Sequence, residues 1–324
     1  MSTAATSAGR RASAPARPRL PRAVQYAALT SVTVIAVCAV IGVLSALSYQ
    51  DATVHLAALT ARSIGQVTGS TGSSVDITWK TPAAQQPHAV VPLAGTAPPV
   101  GTRTEIAYDP ADPADAIIPG ARLLADADQG RSGLIFAALV ALLVFAIDLV
   151  RLLRRVRLHR RPGRPLTVRR IRVQRRLLSR TWLETEPAPG TRQRWIPVYY
   201  DPVLAELPSP VEVTVHGDPR LDRLLAIEAN GVRIYPAGRV TAHEPPGRRT
   251  DSPSHPDEHA IARARTAGIA RQLRVDAALT VPAPMLGLCW AYLDQGGVPS
   301  WLGATALCAS LGLWLAAIRG SDPT

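Results

Sequence analysis

The sequence predicts a membrane α-helical protein with four transmembrane helices and two small β-rich soluble regions, one extracytoplasmic and one cytoplasmic. Three observations carry this reading. Apolar residues gather in four blocks; basic residues crowd the flanks of alternate intervening segments; and two of those segments contain alternating runs divided by turn residues. A crossing needs about 20 predominantly apolar residues, and lipid offers no partner for open backbone groups, so each block is expected as helix. The blocks are Val24–Leu47, Gly133–Val150, Val275–Leu293 and Trp301–Ile318. The third carries Pro282 and Pro284, which bend or break a helix because proline lacks the N–H.

Charge sets the orientation. Arg10, Arg11, Arg17, Arg19 and Arg22 precede the first block without an acid among them. Thirteen arginines and no acid occupy residues 151–180, and Arg319 closes the fourth block. Residues 51–131 instead hold eight acids against five bases, and the loop 294–300 has no base. Both termini and residues 151–274 are therefore expected in the cytoplasm of a multi-pass cell-membrane protein. A cleaved signal peptide is the rival reading of the first block. Its apolar core exceeds the roughly 7–15 residues of a signal core, which favours a retained helix.

The segments divide as follows. Residues 1–23 are expected as a disordered basic tail, 24–48 as the first helix, 49–131 as an extracytoplasmic β domain and 132–150 as the second helix. Residues 151–240 combine a basic juxtamembrane stretch with a cytoplasmic β domain, 241–256 a linker and 257–274 a cytoplasmic helix. The third helix is 275–293, the outer loop 294–300, the fourth helix 301–318 and the tail 319–324. Strand candidates in the outer domain are Ser63–Thr68, Val75–Lys80, His88–Leu93 and Thr102–Tyr108. In the inner domain they are Trp195–Tyr200, Val211–His216, Leu224–Glu228 and Val232–Tyr235, the last two joined by the hairpin dipeptide Asn230-Gly231.

The strand entered through Val100-Gly101 and left through Tyr108-Asp109-Pro110-Ala111-Asp112-Pro113, between two apolar blocks, resembles the bacterial membrane family catalogued as domain of unknown function 3592, in its actinobacterial form. The resemblance covers about residues 25–155. Thr102 stands where that family usually has an acid. The family has no established activity, so the resemblance implies a membrane location and no inherited site residues. Gly190-Thr191-Arg192 with Tyr200-Asp201-Pro202 echoes Gly101-Thr102-Arg103 with Tyr108-Asp109-Pro110, which raises a helix–β–helix duplication.

No nucleotide-binding, hydrolase or zinc-protease signature occurs in the chain. His243-Glu244 is followed by two prolines, which forbid the zinc-binding helix, and His255 and His259 flank Pro256 with no third ligand nearby. Cys38, Cys289 and Cys308 all lie in apolar blocks and read as small hydrophobes. Asp148, the one acid inside an apolar block, is expected to pair with Arg151 near the boundary, and Asp276 beside Arg274 reads likewise. Arg151, Arg154, Arg155 and Arg157 are expected to contact anionic lipid headgroups rather than nucleic acid, because a run fused to a membrane helix is held near the headgroups. The sequence thus predicts no catalytic, cofactor or metal site. It points to a non-enzymatic interaction or regulatory scaffold of the cell envelope, engaging protein partners or a second copy of the chain. A small transporter or channel subunit is the alternative.

Overall fold

A computed structural model describes residues 21–186, 192–255, 257–266 and 268–323. The expected disordered tail falls mostly outside these residues, as do Gly190 and Thr191 of the echoed motif; Arg22 and Ala23 open the first helix. The chain forms two compact units. Among the described residues, one comprises 30–156 and 276–315; the other lies within 157–275 and takes in 21–29 and 316–323.

Among the described residues, three helices are long and apolar enough to cross a membrane. They are α1 (Arg22–Ala58), α2 (Arg122–Val156) and the last helix, Gly297–Arg319. At 35 residues, α2 runs about 52 Å, well beyond a hydrocarbon core of about 30 Å, so its polar ends project past the apolar stretch. The expected third crossing is not one helix. The stretch breaks into α5 (Ile269–Asp276), a 3₁₀ turn (Ala277–Thr280) and α6 (Ala283–Asp294), with Pro282 as the N-cap of α6. Pro282 and Pro284 cannot donate to the preceding turn, and the chain restarts at the point where those donors would be unpaired anyway. The expected helix 257–274 is likewise divided, into α4 (Glu258–Thr266) and α5, with Gly268 between them.

Small residues set the packing of α1 against α2. A Cβ on Gly130 would stand 2.9 Å from the Ser45 carbonyl oxygen and 2.9 Å from the Tyr49 nitrogen, so only glycine lets these two backbones meet.

Between α1 and α2 lies a five-stranded antiparallel sheet of β1 (Ala61–Thr71), β2 (Ser74–Trp79), β3 (His88–Pro92), β4 (Arg103–Tyr108) and β5 (Ala116–Ile117). Its order is β3-β2-β1-β4-β5. Alternation buries one face: Val75, Ile77, Trp79, Val91, Ile106 and Tyr108 form its core, while Asp76, Thr78 and Val90 face away from it. His55 near the end of α1 reaches Asp115 at 2.7 Å and ties the helix to the loop before β5.

After α2 a 3₁₀ turn (Leu158–Arg160) leads into a larger sheet. Its strands are β6 (Gly163–Arg175), β7 (Leu178–Thr185), β8 (Trp195–Val198), β9 (Val211–His216), β10 (Ala226–Ala229), β11 (Val232–Ile234) and β12 (Arg248–Asp251), with the short helix α3 (Val203–Glu206) between β8 and β9. The order is β11-β10-β9-β6-β7-β8, all antiparallel, and β12 pairs with β6. Asn230 (φ 49°) and Gly231 (φ 74°) form the two-residue hairpin that the sequence signals.

Two expectations are corrected. Half of the basic stretch is β6 and β7 rather than a juxtamembrane run, and the linker 241–256 contains β12. Arg249 on β12 donates to buried Glu184 on β7 at 2.8 and 3.0 Å, which pins the segment across β6. Both faces of the sheet are covered. Val168, Leu183, Ile196 and Val213 belong to the main core, whereas Ile171, Val173, Trp182 and Trp195 cluster on the other side.

The two sheets share a plan. In each, the first strand is central, the next two step outward along one edge, and the fourth returns to the opposite edge with the fifth beyond it. The larger sheet adds β11 in the same direction. By this correspondence β4 matches β9, not β8, so the Tyr200-Asp201-Pro202 echo lies at the wrong strand. The equivalent of Asp109-Pro110 is Asp218-Pro219: each aspartate follows the fourth strand and accepts the N–H two residues on, from Ala111 and from Arg220, both at 2.8 Å.

Gly130→Ala should force α1 and α2 apart, at a cost of about 1–3 kcal/mol. Gly42→Ala, where the added carbon would meet Leu134 at an ordinary 3.7 Å, should be tolerated. Thermal unfolding in detergent distinguishes the two variants.

Candidate functional site

The arginines of residues 151–180, the first four of them expected at lipid headgroups, occupy two environments. Arg151, Arg154 and Arg155 lie on the last two turns of α2 and Arg157 directly follows it; Arg154 and Arg157 are exposed, Arg151 and Arg155 half-buried. Farther along, the bases meet acids of their own sheet domain. Arg161 reaches Asp222 at 2.7 Å, Arg169 reaches Glu186 at 3.1 Å and Arg164 lies 3.8 Å from Asp218.

Arg170 has a different role, dictated by strand register. It pairs opposite Leu183, on the same face as Val168, so its side chain turns inward and is 12% exposed. Two positions on, Arg172 faces Thr181. Into this polar end of the inward face comes the C-terminal segment. Ser321 forms an antiparallel bridge with Arg180, and the Asp322 N–H donates to the Ser179 carbonyl at 2.9 Å. Val198 of β8 faces Thr181, so the segment extends the line of β8 along β7 where β8 leaves it. The Asp322 carboxylate is fully buried; it accepts from the Thr181 hydroxyl at 2.5 Å and lies 3.7 Å from the Arg170 guanidinium. Gln272 donates to the Ser321 carbonyl at 3.1 Å and hydroxyl at 3.0 Å, and the Tyr199 hydroxyl donates to Ile318 O at 2.9 Å. The expected tail 319–324 is thus a structural segment through Pro323.

Tyr200 and Arg22 complete this cluster. The Arg22 guanidinium lies over the Tyr200 ring, 5.3 Å from its centroid, and donates to Gly268 O at 3.0 Å. Burial, and after it the Asp322 charge, pushes the Tyr200 phenol up to about 12, with Arg22 and Arg170 opposing. Burial also raises the Asp201 carboxyl, against the Val203 N–H that donates to it at 3.0 Å. Chemically the arrangement grips one peptide segment: donors converge on the buried Asp322 carboxylate and on the backbone beside it.

Within the other unit, Asp148 of α2 accepts from the Ser31 hydroxyl of α1 at 2.5 Å and from the Trp314 indole N–H at 3.3 Å. The sequence pointed to Arg151 for this acid, but its geometry instead ties three helices across their apolar faces. Asp276, expected to resemble it, is buried at the end of α5. His259 and His255, weighed as metal ligands, lie in the first turn of α4 and just before it; His255 contacts the Ser254 hydroxyl at 3.2 Å.

Spacing cannot reveal the Asp322 cluster, because its members come from five separated parts of the chain. The one signal in the sequence was the alternation Val168-x-Arg170-x-Arg172, which puts two arginines in register with a core valine.

Asp322→Ala should cost about 3–5 kcal/mol, because it leaves the Arg170 charge buried without its carboxylate. Asp322→Asn, which keeps the Thr181 contact, should cost less. Chemical denaturation of the purified full chain measures both.

Compared with protein-family models, with curated proteins and with solved structures, the chain has no match.

Proposed function

We propose that this chain is a multi-pass cell-membrane protein that serves as a non-enzymatic interaction or regulatory scaffold of the cell envelope. Its sheet between α1 and α2 faces outward, and its termini and larger sheet lie in the cytoplasm. The observation that carries this reading is the shared plan of the two sheets, each with its own apolar core, each inserted where a long apolar helix ends. A plan used twice on a membrane anchor supports display of folded domains. The resemblance to the domain of unknown function 3592 family, confined to the first helix–sheet–helix stretch, is in keeping with a single module that was then repeated.

Four crossings require that the broken stretch before Asp294 traverse the bilayer. At 12 residues α6 spans about 18 Å, so residues preceding Pro282 complete the crossing. The basic end of α2 supports the orientation, with Arg151, Arg154, Arg155 and Arg157 held among anionic headgroups at about 1 kcal/mol each. A transporter or channel subunit is the second reading, and Asp148 favours it, because an acid among apolar helix faces is a route for ions or protons. Its hydrogen bonds to Ser31 and Trp314 favour the scaffold, since they spend the carboxylate on joining helices.

Two measurements test these readings. With the native cysteines replaced, a Cys at Ser73 should react with an impermeant thiol reagent applied to intact cells, and one at Ala242 should not. Replacing Arg151, Arg154, Arg155 and Arg157 with Gln should raise labelling at 242, and the reverse pattern in the parent chain overturns the orientation. In proteoliposomes the scaffold predicts proton and ion permeability equal to that of protein-free vesicles. Asp148→Ala should lower thermal stability by about 1–2 kcal/mol without altering flux, whereas an Asp148-dependent flux would establish transport.

A further inference from the structure

Directly after α2, the 3₁₀ turn Leu158–Arg160 packs on β9 and β10, with Leu158 buried and the His159 ring edge-on to Tyr235 at 5.0 Å. The His159 ring is also 5.4 Å from that of His216, the last residue of β9. His216 Nδ1 lies 3.0 Å from the Arg161 carbonyl oxygen. A carbonyl only accepts, so Nδ1 carries the hydrogen and any further proton on His216 must go to Nε2. That atom is 3.6 Å from the Glu228 carboxylate on β10. The Nε2 atoms of both rings are buried without a hydrogen-bond partner among the described residues.

The charges around the pair are unequal. The Glu228 carboxylate faces His216. His159 meets His216, Arg233 of β11 and the backbone leading into Arg161, whose guanidinium is held by Asp222; Arg157 and Arg160 flank it on its own turn. A proton on His159 would therefore stand beside His216 and Arg233, on a ring whose Nε2 is buried.

We propose that His159 and His216 form a pH-sensitive joint at which the turn following α2 leaves the sheet on acidification. The joint adds regulation to the protein whether it serves as scaffold or transporter. Burial, then His216 and Arg233, hold the docked His159 below the ordinary histidine value, with Glu228 opposing. For a base lowered in the docked state, docking is fully stable above the undocked value of about 6.5 and is lost as pH falls from there toward the docked value. The undocked turn takes up the proton that the docked turn refuses.

Hydrogen exchange of the full chain in lipid nanodiscs, with times scaled for the intrinsic pH dependence, tests the joint between pH 8 and pH 5. Opening of residues 157–161 should increase below about pH 6.5, by at most about tenfold per pH unit for one proton, while β6 and β7 stay protected. His159→Gln should remove the pH dependence, and His216→Gln, which takes away the neighbouring imidazole, should reduce it. Opening that does not change with pH in the parent chain, or that changes equally in His159→Gln, overturns the proposal. Should His159→Gln be open at every pH, His216→Gln decides: a smaller acid response supports the joint, and an undiminished one refutes it.

Discussion

Each sheet depends on a first strand that hydrogen-bonds along both edges: β1 between β2 and β4, and β6 between β7 on one edge and β9 followed by β12 on the other. An unpaired backbone group buried in a sheet is costly, so a strand committed on both sides requires that the chain return to it after stepping away. That requirement produces the shared plan, in which the second and third strands move out and the fourth comes back. It also explains why β12 forms within a stretch of poor strand composition. β9 leaves β6 at Val168, and the exposed edge from Ile171 to Gln174 is covered by Arg248–Asp251. Glu184, buried on β7, then holds Arg249 in place across the strand.

The same logic of completing what a neighbour leaves open governs the C-terminal segment. β8 departs from β7 after Val198, and Ser321–Asp322 continues beside Ser179 and Arg180. Asp322 supplies the carboxylate that a buried Arg170 requires, and Arg170 is buried because its register matches Val168 and Leu183. Polar ties of this kind do not add much net stability, since desolvation offsets most of the attraction. Their effect is specificity, because any other placement of the segment leaves a charge buried alone. Asp148 with Ser31 and Trp314 acts comparably among the helices of the other unit, where close contacts at Gly130 leave little room for adjustment.

The strands with clean alternation and plain turn residues were legible in advance: β1 to β4, β9 and the β10–β11 hairpin all fall within two or three residues of their expected limits. β6 and β7 were not, because Val168 serves one face while Ile171 and Val173 serve the other, and the arginines at 169, 170, 172, 175 and 176 among them read as a charge run that positive-inside topology explains equally well. Dense charge carries two messages, and composition alone cannot separate them. The Tyr-Asp-Pro echo misled for a related reason. The Asp-Pro turn recurs wherever a strand must stop, so it marks strand ends without marking which strand ends.

By itself the sequence determined the apolar helices, the prolines that break the third apolar block, the presence of two β-rich inserts and the left-handed Asn230-Gly231 turn. These follow from local properties: hydrophobic length, missing N–H donors and backbone conformations that few residues accept. Only the tertiary structure decided that Arg170 faces inward to Asp322, that Asp148 joins Ser31 and Trp314, that residues 248–251 and 321–322 extend a sheet, and that His159 meets His216. Each of these pairs residues separated by tens to hundreds of positions. No local preference encodes which distant edge or carboxylate a chain will find; that is settled when strand pairing and burial must be satisfied together.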